Sequence, residues 1–309
     1  MTLMLLLLAV HALTVLVLPV LVVGLVNRTK AWWGGRQGPR LLQSAYDLFR
    51  LAGKQPVISE VTSPLFRAGA WVVLGASVFA AMIAPALGAY APLRFDHDFI
   101  VFAYVLGLAR LFLMLSAMDV GSSFEGMGAA REAAFATYAE PALFLLIGAA
   151  AMATGHSSFA GLIGHLHESG QFAWVAPPAV LVLLILLQAE ASRVPVDDPL
   201  THLELTMIHE VMILDHSGPE LAAMQYSAAI KMTVYAGLIA ALLNPIDPLV
   251  NPLGAIACAW AIIVAVAIVV GCIESLVARL RMRWVPPYVW IASGAAVLCM
   301  AVVGWGGTH

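Results

Sequence analysis

Eight apolar stretches, each long enough to cross a lipid bilayer, constrain the fold of this chain more than any other feature. A spanning helix needs about 20 consecutive apolar residues, because the hydrocarbon core of a bilayer is about 30 Å thick. Only 11% of the 309 residues are charged, and the mean hydropathy is +0.93. The sequence therefore predicts an all-α integral membrane protein that forms one transmembrane domain over residues 1–309. The eight predicted spans are about 3–26, 67–88, 98–118, 131–153, 173–192, 220–243, 253–278 and 287–305.

The basic residues are distributed unequally between the two sides of the predicted spans. Four connections (about 27–66, 119–130, 193–219 and 279–286), with their flanks, hold twelve of the fifteen Lys and Arg residues. Arg94 lies in an opposite connection, and Arg110 and Lys231 lie within spans. Cytoplasmic loops are the ones rich in Lys and Arg. We therefore expect a multi-pass protein of the cell inner membrane with these connections in the cytoplasm and both termini outside.

Residues 40–54 predict an additional amphipathic helix that lies in the membrane interface. Leu41, Ala45 and Leu48 share one helical stripe, whereas Arg40 and Asp47 lie on the other side. Such a helix buries its apolar face at the headgroup level. The opposite connection at 154–171 contains three scattered histidines, and we interpret it as a solvated loop.

The cysteines indicate that the chain itself carries no redox centre. Cys258, Cys272 and Cys299 lie singly inside apolar stretches, without a Cys-x-x-Cys pair. Fe–S clusters and zinc sites need grouped thiolates or imidazoles. We therefore predict no cofactor and no metal in this chain, and the formal charge of −3 gives no indication of nucleic-acid binding.

Several charged residues lie within the predicted spans and are candidates for function. A charge at the centre of a bilayer costs about 2.5–3.5 kcal/mol on insertion scales, so it is rarely present without a role. Glu140 precedes Pro141, whose missing N–H leaves an upstream carbonyl unpaired and admits water. Glu132 lies about 80° away around the same helix, so both acids can face one hydrated cavity. The candidate proton path is Glu132, Glu140, Glu190, Lys231 and Glu274.

Buried ion pairs that fix helix register are the alternative interpretation of these charges. Arg110 with Asp119, or Lys231 with Glu190, would be such pairs.

The segment 190–218 concentrates six acids, three histidines and one arginine in a chain that is otherwise poor in charge. His202 and His209 are seven residues apart and share a helical face. Divalent metal binding is one interpretation, but the i, i+4 spacing of a helical metal pair is missing. We therefore favour a hydrogen-bonded docking surface.

Three motifs resemble one family of membrane proteins. The segment GRQGP at 35–39, followed by an amphipathic helix, resembles the first cytoplasmic loop of the eight-helix membrane subunit of complex I near its quinone site. The segment EASRVPVD at 190–197 resembles the Glu-x-x-Arg-x-Pro-Phe-Asp motif of that family. Arg131, Glu132 and Glu140 fall where the family has its fourth-helix acids. The resemblance covers nearly the whole chain.

The segment 195–218 departs from the quinone-reducing members of this family. Their aromatic and glycine pair is missing, and the segment is about three residues longer. The sequence DDPLTHLELTMIHE at 197–210 resembles instead the membrane subunit of group 4 [NiFe]-hydrogenase complexes of the formate hydrogenlyase or hydrogenase-4 type.

The resemblance implies a complex I subunit 1-like fold and a role in anchoring and coupling. The implied partners are a hydrogenase large subunit, an iron–sulfur small subunit and antiporter-like membrane subunits, with the [NiFe] centre and iron–sulfur clusters in those partners. A quinone-site subunit of an NADH:quinone oxidoreductase and a stand-alone secondary transporter are the alternatives. The implied docking and coupling residues are Arg36, Gly38, Pro39, Arg193, Pro195, Asp197, Asp198, Glu204, Glu210 and Asp215.

Overall fold

The computed structural model describes residues 2–198 and 207–306, and these ranges contain helices and connections but no strand. The docking candidate Glu204 and the histidine His202 lie outside the described residues. The helices are α1 (Thr2–Leu16), α2 (Leu18–Trp33), α3 (Gln43–Ala52), α4 (Pro64–Ile83), α5 (Asp98–Asp119), α6 (Ser123–Thr154), α7 (Phe159–Glu168), α8 (Phe172–Glu190), α9 (His209–Met212), α10 (Gly218–Leu243), α11 (Pro252–Leu276) and α12 (Val285–Gly306), with a 3-10 turn at Met282–Trp284.

The predicted all-α membrane architecture is confirmed. Seven helical segments are long and apolar enough to span a bilayer: α4, α5, α6, α8, α10, α11 and α12 with its preceding 3-10 turn. The pair α1 and α2 provides the eighth span if it is counted as one, with a bend of 43° between the two helices. The chain is a multi-pass membrane protein.

The first span is bent and longer than predicted. Pro19 lies in the first turn of α2, where its missing N–H removes a helical hydrogen bond and favours a bend. Because α2 continues to Trp33, Arg28 and Lys30 lie on the helix and not in the connection that follows it.

Helix α6 begins eight residues before the predicted span, so the predicted connection at 119–130 shrinks to 120–122. Residues 123–130 are not continuously apolar, which is why hydropathy misses them. They are held by tertiary packing, because Gly128 lets α6 approach Val211 and Met212 closely.

The connection at 154–171 was predicted as a solvated loop, and that prediction was wrong. It contains α7, whose Phe159, Leu162 and Leu166 are buried. The Ser158 hydroxyl caps this helix by accepting a hydrogen bond from the Gly161 N–H at 3.3 Å. An amphipathic helix of ten residues is too short to be distinguished from a loop by apolar content alone.

The connections that were predicted to share a side meet one another. At one end, the Ser217 hydroxyl accepts a hydrogen bond from the Val57 N–H at 2.7 Å, and the Leu280 N–H donates to the Pro195 carbonyl at 3.0 Å. At the other end, the His97 N–H donates to the Ser157 carbonyl at 2.8 Å. We call the first of these the basic end. That it faces the cytoplasm stays a prediction.

Helix α10 forms the centre of the bundle and positions the polar residues described below. Its residues from Ala229 to Leu242 are all buried. It packs against α2, α4, α8 and α11. Helix α3 packs against its N-terminal part, beside Pro219 and Tyr226.

Candidate polar site and family

A buried arginine joins three acids from two neighbouring helices. Arg110 on α5 is ion-paired with Glu132 (Nε to Oε1, 3.2 Å) and Glu140 (Nη1 to Oε1, 2.7 Å), both on α6. Its Nη2 pairs with Glu190 at the end of α8. The Arg110 side chain is only 6% exposed. Glu132 and Glu140 thus contact the same arginine, although they line two different cavities and not the single one that was predicted. We call Arg110 with its three acids the Arg110 cluster.

Lys231 on α10 lies beside this cluster. It is buried, and it interacts electrostatically with Glu190, Arg110 and Glu132. The predicted alternative pair of Arg110 with Asp119 does not form, because Asp119 accepts a hydrogen bond from the Ser63 N–H at 2.7 Å. Four of the five proton-path candidates therefore lie together around Arg110.

Two cavities meet at the Arg110 cluster. The loop cavity is lined by Glu132, Ser192, Asp197 and Ile208, among others, and so extends towards the connection at 191–217. The span cavity is lined by Tyr104, Glu140, Phe144 and Tyr235, among others, and so extends into the bundle. The residues that line both cavities are Arg110, Ala139 and Glu190.

Glu274, the fifth proton-path candidate, belongs to a separate ion-paired group. Its buried carboxylate lies 2.8 Å from the Lys30 Nζ and 3.5 Å from the Arg193 Nη1. This group connects α11 to α2 and to the connection after α8. The structure therefore brings Glu274 together with a docking candidate and not with the Arg110 cluster.

Asp197 organises the connection that follows α8. Its carboxylate accepts hydrogen bonds from the N–H groups of Asp198 (3.0 Å), Ile208 (3.3 Å) and His209 (2.8 Å). Arg279, from the next connection at the basic end, lies 2.8 Å from the same carboxylate. Burial raises the pKa of Asp197, and the His209 N–H and the Arg279 guanidinium oppose that rise. Asp197 thus ties both ends of the segment 197–209 to residue 279.

Further titratable groups of this connection are buried in different degrees. Burial, and then the charge of Asp197, raises the pKa of Glu210 to about 7. Burial, and then the charge of Lys231, lowers the pKa of His209 to about 3. Asp215 is exposed at the surface.

The remaining docking candidates lie at the basic end. Arg36, Gly38 and Pro39 are exposed on the connection between α2 and α3. A Cβ at Gly38 would lie 3.1 Å from the Arg28 Cα, so glycine favours the close passage of the chain along α2. The Pro195 carbonyl is the acceptor for Leu280 described above.

His216 is a structural contact that sequence reasoning missed. Its ring stacks on Phe66 with centroids 4.0 Å apart. Its Nε2 lies 3.0 Å from the Ser116 Oγ, which itself donates to the Phe66 carbonyl at 2.9 Å. The Ser116 hydrogen is thereby used, so the His216 Nε2 is the donor. Burial lowers the pKa of His216 to about 4. The imidazole thus attaches this connection to α4 and α5 through Phe66 and Ser116.

Sequence reasoning also missed Glu125 and Glu220, which lie in the first turns of α6 and α10. Glu220 pairs with Arg67 at 2.9 Å, and Glu125 accepts a long hydrogen bond of 3.4 Å from the Asp215 N–H. Because both acids lie next to connections, nothing in the sequence indicates that they are buried. The sequence indicates more strongly that Arg110 is buried, because Arg110 is the arginine that lies farthest from either end of its predicted span.

Among the residues that the structure describes, no group of three or more His, Cys, Asp or Glu side chains is arranged to hold a metal ion. The imidazoles of His156 and His165 stack with centroids 3.7 Å apart, and Glu168 lies 3.2 Å from the His165 Nδ1.

Comparison with known proteins places this chain in a family. The NADH dehydrogenase family matches residues 4–304. The chain is similar to formate hydrogenlyase subunit 4 of Escherichia coli (strain K12), with 25% identity over 300 residues that cover 94% of this chain and 95% of that protein. It is 30% identical over 239 residues to hydrogenase-4 component C of the same organism, which covers 76% of this chain and 74% of that protein.

A third relative is an NADH-quinone oxidoreductase subunit of Rubrobacter xylanophilus (strain DSM 9941 / JCM 11954 / NBRC 16129 / PRD-1), which is 30% identical over 222 residues. That match covers 67% of this chain and 63% of the relative. The fold is also that of a chain in the membrane-bound sulfane sulfur reductase, an archaeal respiratory membrane complex. The TM-score is 0.79 at 21% identity, with 95% of this chain and 97% of that chain covered. On the match over residues 4–304, this chain belongs to the NADH dehydrogenase family.

Proposed function

We propose that this chain is the membrane-anchoring and coupling subunit of a complex I-like [NiFe]-hydrogenase of the formate hydrogenlyase or hydrogenase-4 type. In this role it docks a hydrophilic redox arm at its basic end and contributes to proton translocation across the cell inner membrane. The observation that carries the proposal is the Arg110 cluster, in which a buried arginine of a spanning helix pairs with three acids next to two cavities.

Buried carboxylates next to fixed cations suit proton transfer. Burial favours the neutral form of a carboxyl group, and a neighbouring cation favours the ionised form, so the group can both take and release a proton. Intramembrane acids of this kind mark proton relays. Glu132 on the loop cavity and Glu140 on the span cavity give the path an entrance and an exit.

The connection at 191–217 supports the docking role. In its described residues, Asp197 and Ser217 contact the other connections of the basic end and His216 contacts α4, so these residues present a fixed surface. Residues around it are exposed although they are apolar, including Val57 (78% exposed) and Val61 (75% exposed). Exposed apolar groups outside the spans are typical of a surface that a partner covers. The hydrogenase large subunit and the iron–sulfur small subunit, which would hold the [NiFe] centre and the clusters, are the partners that we assign to it.

The exposure of Glu140 supports the proposal that further partner subunits lie beside this chain within the membrane. Its side chain is 54% exposed on the outside of the isolated chain, although it lies in the middle of α6. A carboxylate facing lipid is costly. We infer that a neighbouring antiporter-like membrane subunit covers this face and receives the proton.

A quinone-site subunit is the second candidate, and two observations favour it. One relative is named as a subunit of an NADH-quinone oxidoreductase. In addition, an apolar groove of about 1080 Å³, part of it open to the surroundings, lies between α2, α3, α4 and α10. Its lining includes Leu42, Phe49, Trp71 and Tyr226.

Purification in a mild detergent separates the candidates. The tagged chain is expected to bring down a hydrogenase large subunit and an iron–sulfur subunit. Recovery of NADH-oxidising subunits, together with attachment of a quinone photolabel near residues 195–215, would establish the second candidate instead. A chain that elutes alone and moves a substrate in liposomes would be a secondary transporter, and the proposal would be wrong.

A further inference from the structure

A pocket opens at the basic end between two connections that are far apart in the sequence. One wall is formed by the segment 57–62 before α4, and the other by the segment 214–217 before α10. The Ser217 hydroxyl joins the two walls, because it accepts a hydrogen bond from the Val57 N–H at 2.7 Å and donates one to the Val57 carbonyl at 3.0 Å. The pocket has a volume of about 660 Å³, part of it open to the surroundings, and we call it the Asp215 pocket.

The walls of the Asp215 pocket are largely apolar. Val57, Ile58 and Leu214 line it and are exposed. Phe66 and His216 line it as well, and they are buried with their rings stacked on each other. Exposed apolar groups outside the spans are typical of a surface that a partner covers. Because two short segments form this pocket, it suits a single protruding side chain, as the anchor residues of interfaces are.

Acids surround the pocket, although the basic end as a whole is rich in Lys and Arg. Asp215 lines the pocket and is exposed. Glu125, which is buried, accepts a hydrogen bond from the Asp215 N–H at 3.4 Å. Glu60 belongs to the wall before α4, and Asp119 accepts a hydrogen bond from the N–H of Ser63, next to that wall.

These acids lack a cation within the part of the chain that the structure describes. None of the four forms an ion pair with a lysine or an arginine there. His216 adds no positive charge near neutral pH, because burial lowers its pKa to about 4. Complementary charges steer association and exclude wrong partners. The pocket therefore favours a basic side chain that a partner supplies.

Arginine fits this combination of groups better than lysine does. Its guanidinium is planar and binds a carboxylate through two parallel hydrogen bonds. Its methylene groups can pack on apolar walls such as those of Val57 and Leu214, and a guanidinium also stacks on aromatic rings. A purely apolar anchor would instead bury the Asp215 carboxylate without a partner, which is costly.

We propose that the Asp215 pocket receives an arginine side chain of the hydrophilic arm, whose guanidinium pairs with the Asp215 carboxylate. This inference rests on the proposed function, because it names the group by which that arm is held at the basic end. The contact involves both connections at once, since Ser217 joins the two walls.

Photo-crosslinking in the whole complex identifies the group that occupies the pocket. The photoreactive residue p-benzoylphenylalanine is placed at Val57, which is exposed in the pocket wall, and the matched control places it at Val250, an exposed valine at the opposite end. We expect the Val57 label to attach to an arginine-containing peptide of a soluble subunit, and the Val250 label to attach to no soluble subunit. Attachment of the Val57 label to lipid, to a membrane subunit or to a peptide without arginine would overturn the assignment.

Asp215→Asn tests the charge of the pocket without changing its shape. Within the described residues the Asp215 side chain makes no hydrogen bond, so the fold of the connection does not depend on it. We expect the arm to dissociate about tenfold faster from this variant than from the wild type, because a charged hydrogen bond across the interface is lost. Asp47→Asn is the control, since it removes an acid of the same end that pairs with Arg50 outside the pocket.

A charge exchange completes the test. Asp215→Arg is expected to release the arm, and changing the crosslinked arginine to Asp in the same complex is expected to restore its retention. If the wild-type chain brings down no hydrogenase arm, the proposed function fails. If it does, and the arm leaves Asp215→Asn no faster than the wild type, only the assignment of the pocket fails.

Discussion

Arg110 and Asp197 are both buried charges, but they are stabilised differently. Arg110 is paired with side-chain carboxylates from two other helices, whereas Asp197 accepts three backbone N–H groups and one guanidinium. Removing one partner of a buried charge leaves the other uncompensated, which is more damaging than the loss of a surface pair. At the scale of single residues we therefore expect strong and separable effects.

Asp197→Asn is expected to detach the hydrophilic arm. The amide cannot pair with Arg279 and accepts fewer of the three N–H groups, and hydrogen bonds to a charged group contribute about 1.5–3 kcal/mol each. Arg193→Ala is expected to act in the same direction, because it removes a partner of Glu274. Subunit stoichiometry after mild-detergent purification measures the effect. Asp247→Asn, in a turn at the opposite end, is the control. Arm subunits at wild-type stoichiometry in both variants would show that this connection does not hold the arm.

Glu210 makes the stability of the connection depend on pH. Its pKa of about 7 in the folded chain lies above its ordinary value of 4.5. The folded form thus binds the proton more tightly, and stability increases as the pH falls and is lost as the pH rises through about 7. The depressed pKa values of His209 and His216 act in the opposite sense below their ordinary 6.5. The unfolded histidines still lose protons between pH 6.5 and 8 and oppose this change, so the difference between the wild type and Glu210→Gln isolates Glu210.

Hydrogen exchange of residues 207–217, corrected for the intrinsic rate, tests this dependence. We expect protection in the wild type to decrease from pH 6.5 to 8 relative to the protection of Glu210→Gln at the same pH. The same slope in both proteins would assign the pH dependence to another group.

At the scale of elements, glycines set the distances between helices, as small residues commonly do in membrane bundles. Gly128 on α6 faces the short helix α9, and a Cβ there would lie 2.9 Å from the Met212 Cγ and 3.0 Å from the Ile208 carbonyl oxygen. A Cβ at Gly126, on the same helix, would meet no atom within 4 Å. These two positions therefore form a matched pair.

Gly128→Val is expected to displace α9 and lower the thermal stability of the complex, because overpacking costs about 1–3 kcal/mol. Gly126→Val adds the same side chain without the contact and is expected to stay close to the wild type. Thermal unfolding of the purified complex and protection of residues 207–217 measure both effects. Equal behaviour of the two variants would mean that α9 does not depend on its contact with α6.

The elements that the sequence predicts well are those with a strong local signal. The predicted bounds of the spans 98–118 and 220–243 agree with the helix bounds within two residues. In a chain of this composition, an apolar run of this length forms a spanning helix. The start of α6 and the presence of α7 were missed, because both depend on packing partners far away in the sequence. For the same reason the spacing of Glu132 and Glu140 predicts a shared face but not their partner. The partner is Arg110 only because α5 and α6 pack in one register, which no local pattern records.

At the scale of the whole molecule, the polar groups form two separate systems. The Arg110 cluster is centred on a buried arginine among the spanning helices, and the group of Glu274, Arg193 and Lys30 lies near the basic end. The connection at 191–217 touches both, because Asp197 lines the loop cavity and Arg193 pairs with Glu274. A redox event in an arm docked on this connection would therefore act first on the loop cavity. The exposed face of Glu140 is the place where a neighbouring subunit would receive the proton.

Proton movement per hydrogen produced, in inverted membrane vesicles, tests the central claim most directly. Glu140→Gln keeps the shape of the side chain but cannot exchange a proton. Glu168→Gln, an exposed acid of α7, is the matched control. We predict that the Glu140 variant assembles and turns over at a rate close to the wild type, while its proton movement falls about tenfold, as expected for an added barrier of 1.36 kcal/mol. Normal hydrogen turnover together with an unchanged proton gradient in Glu140→Gln would contradict the account.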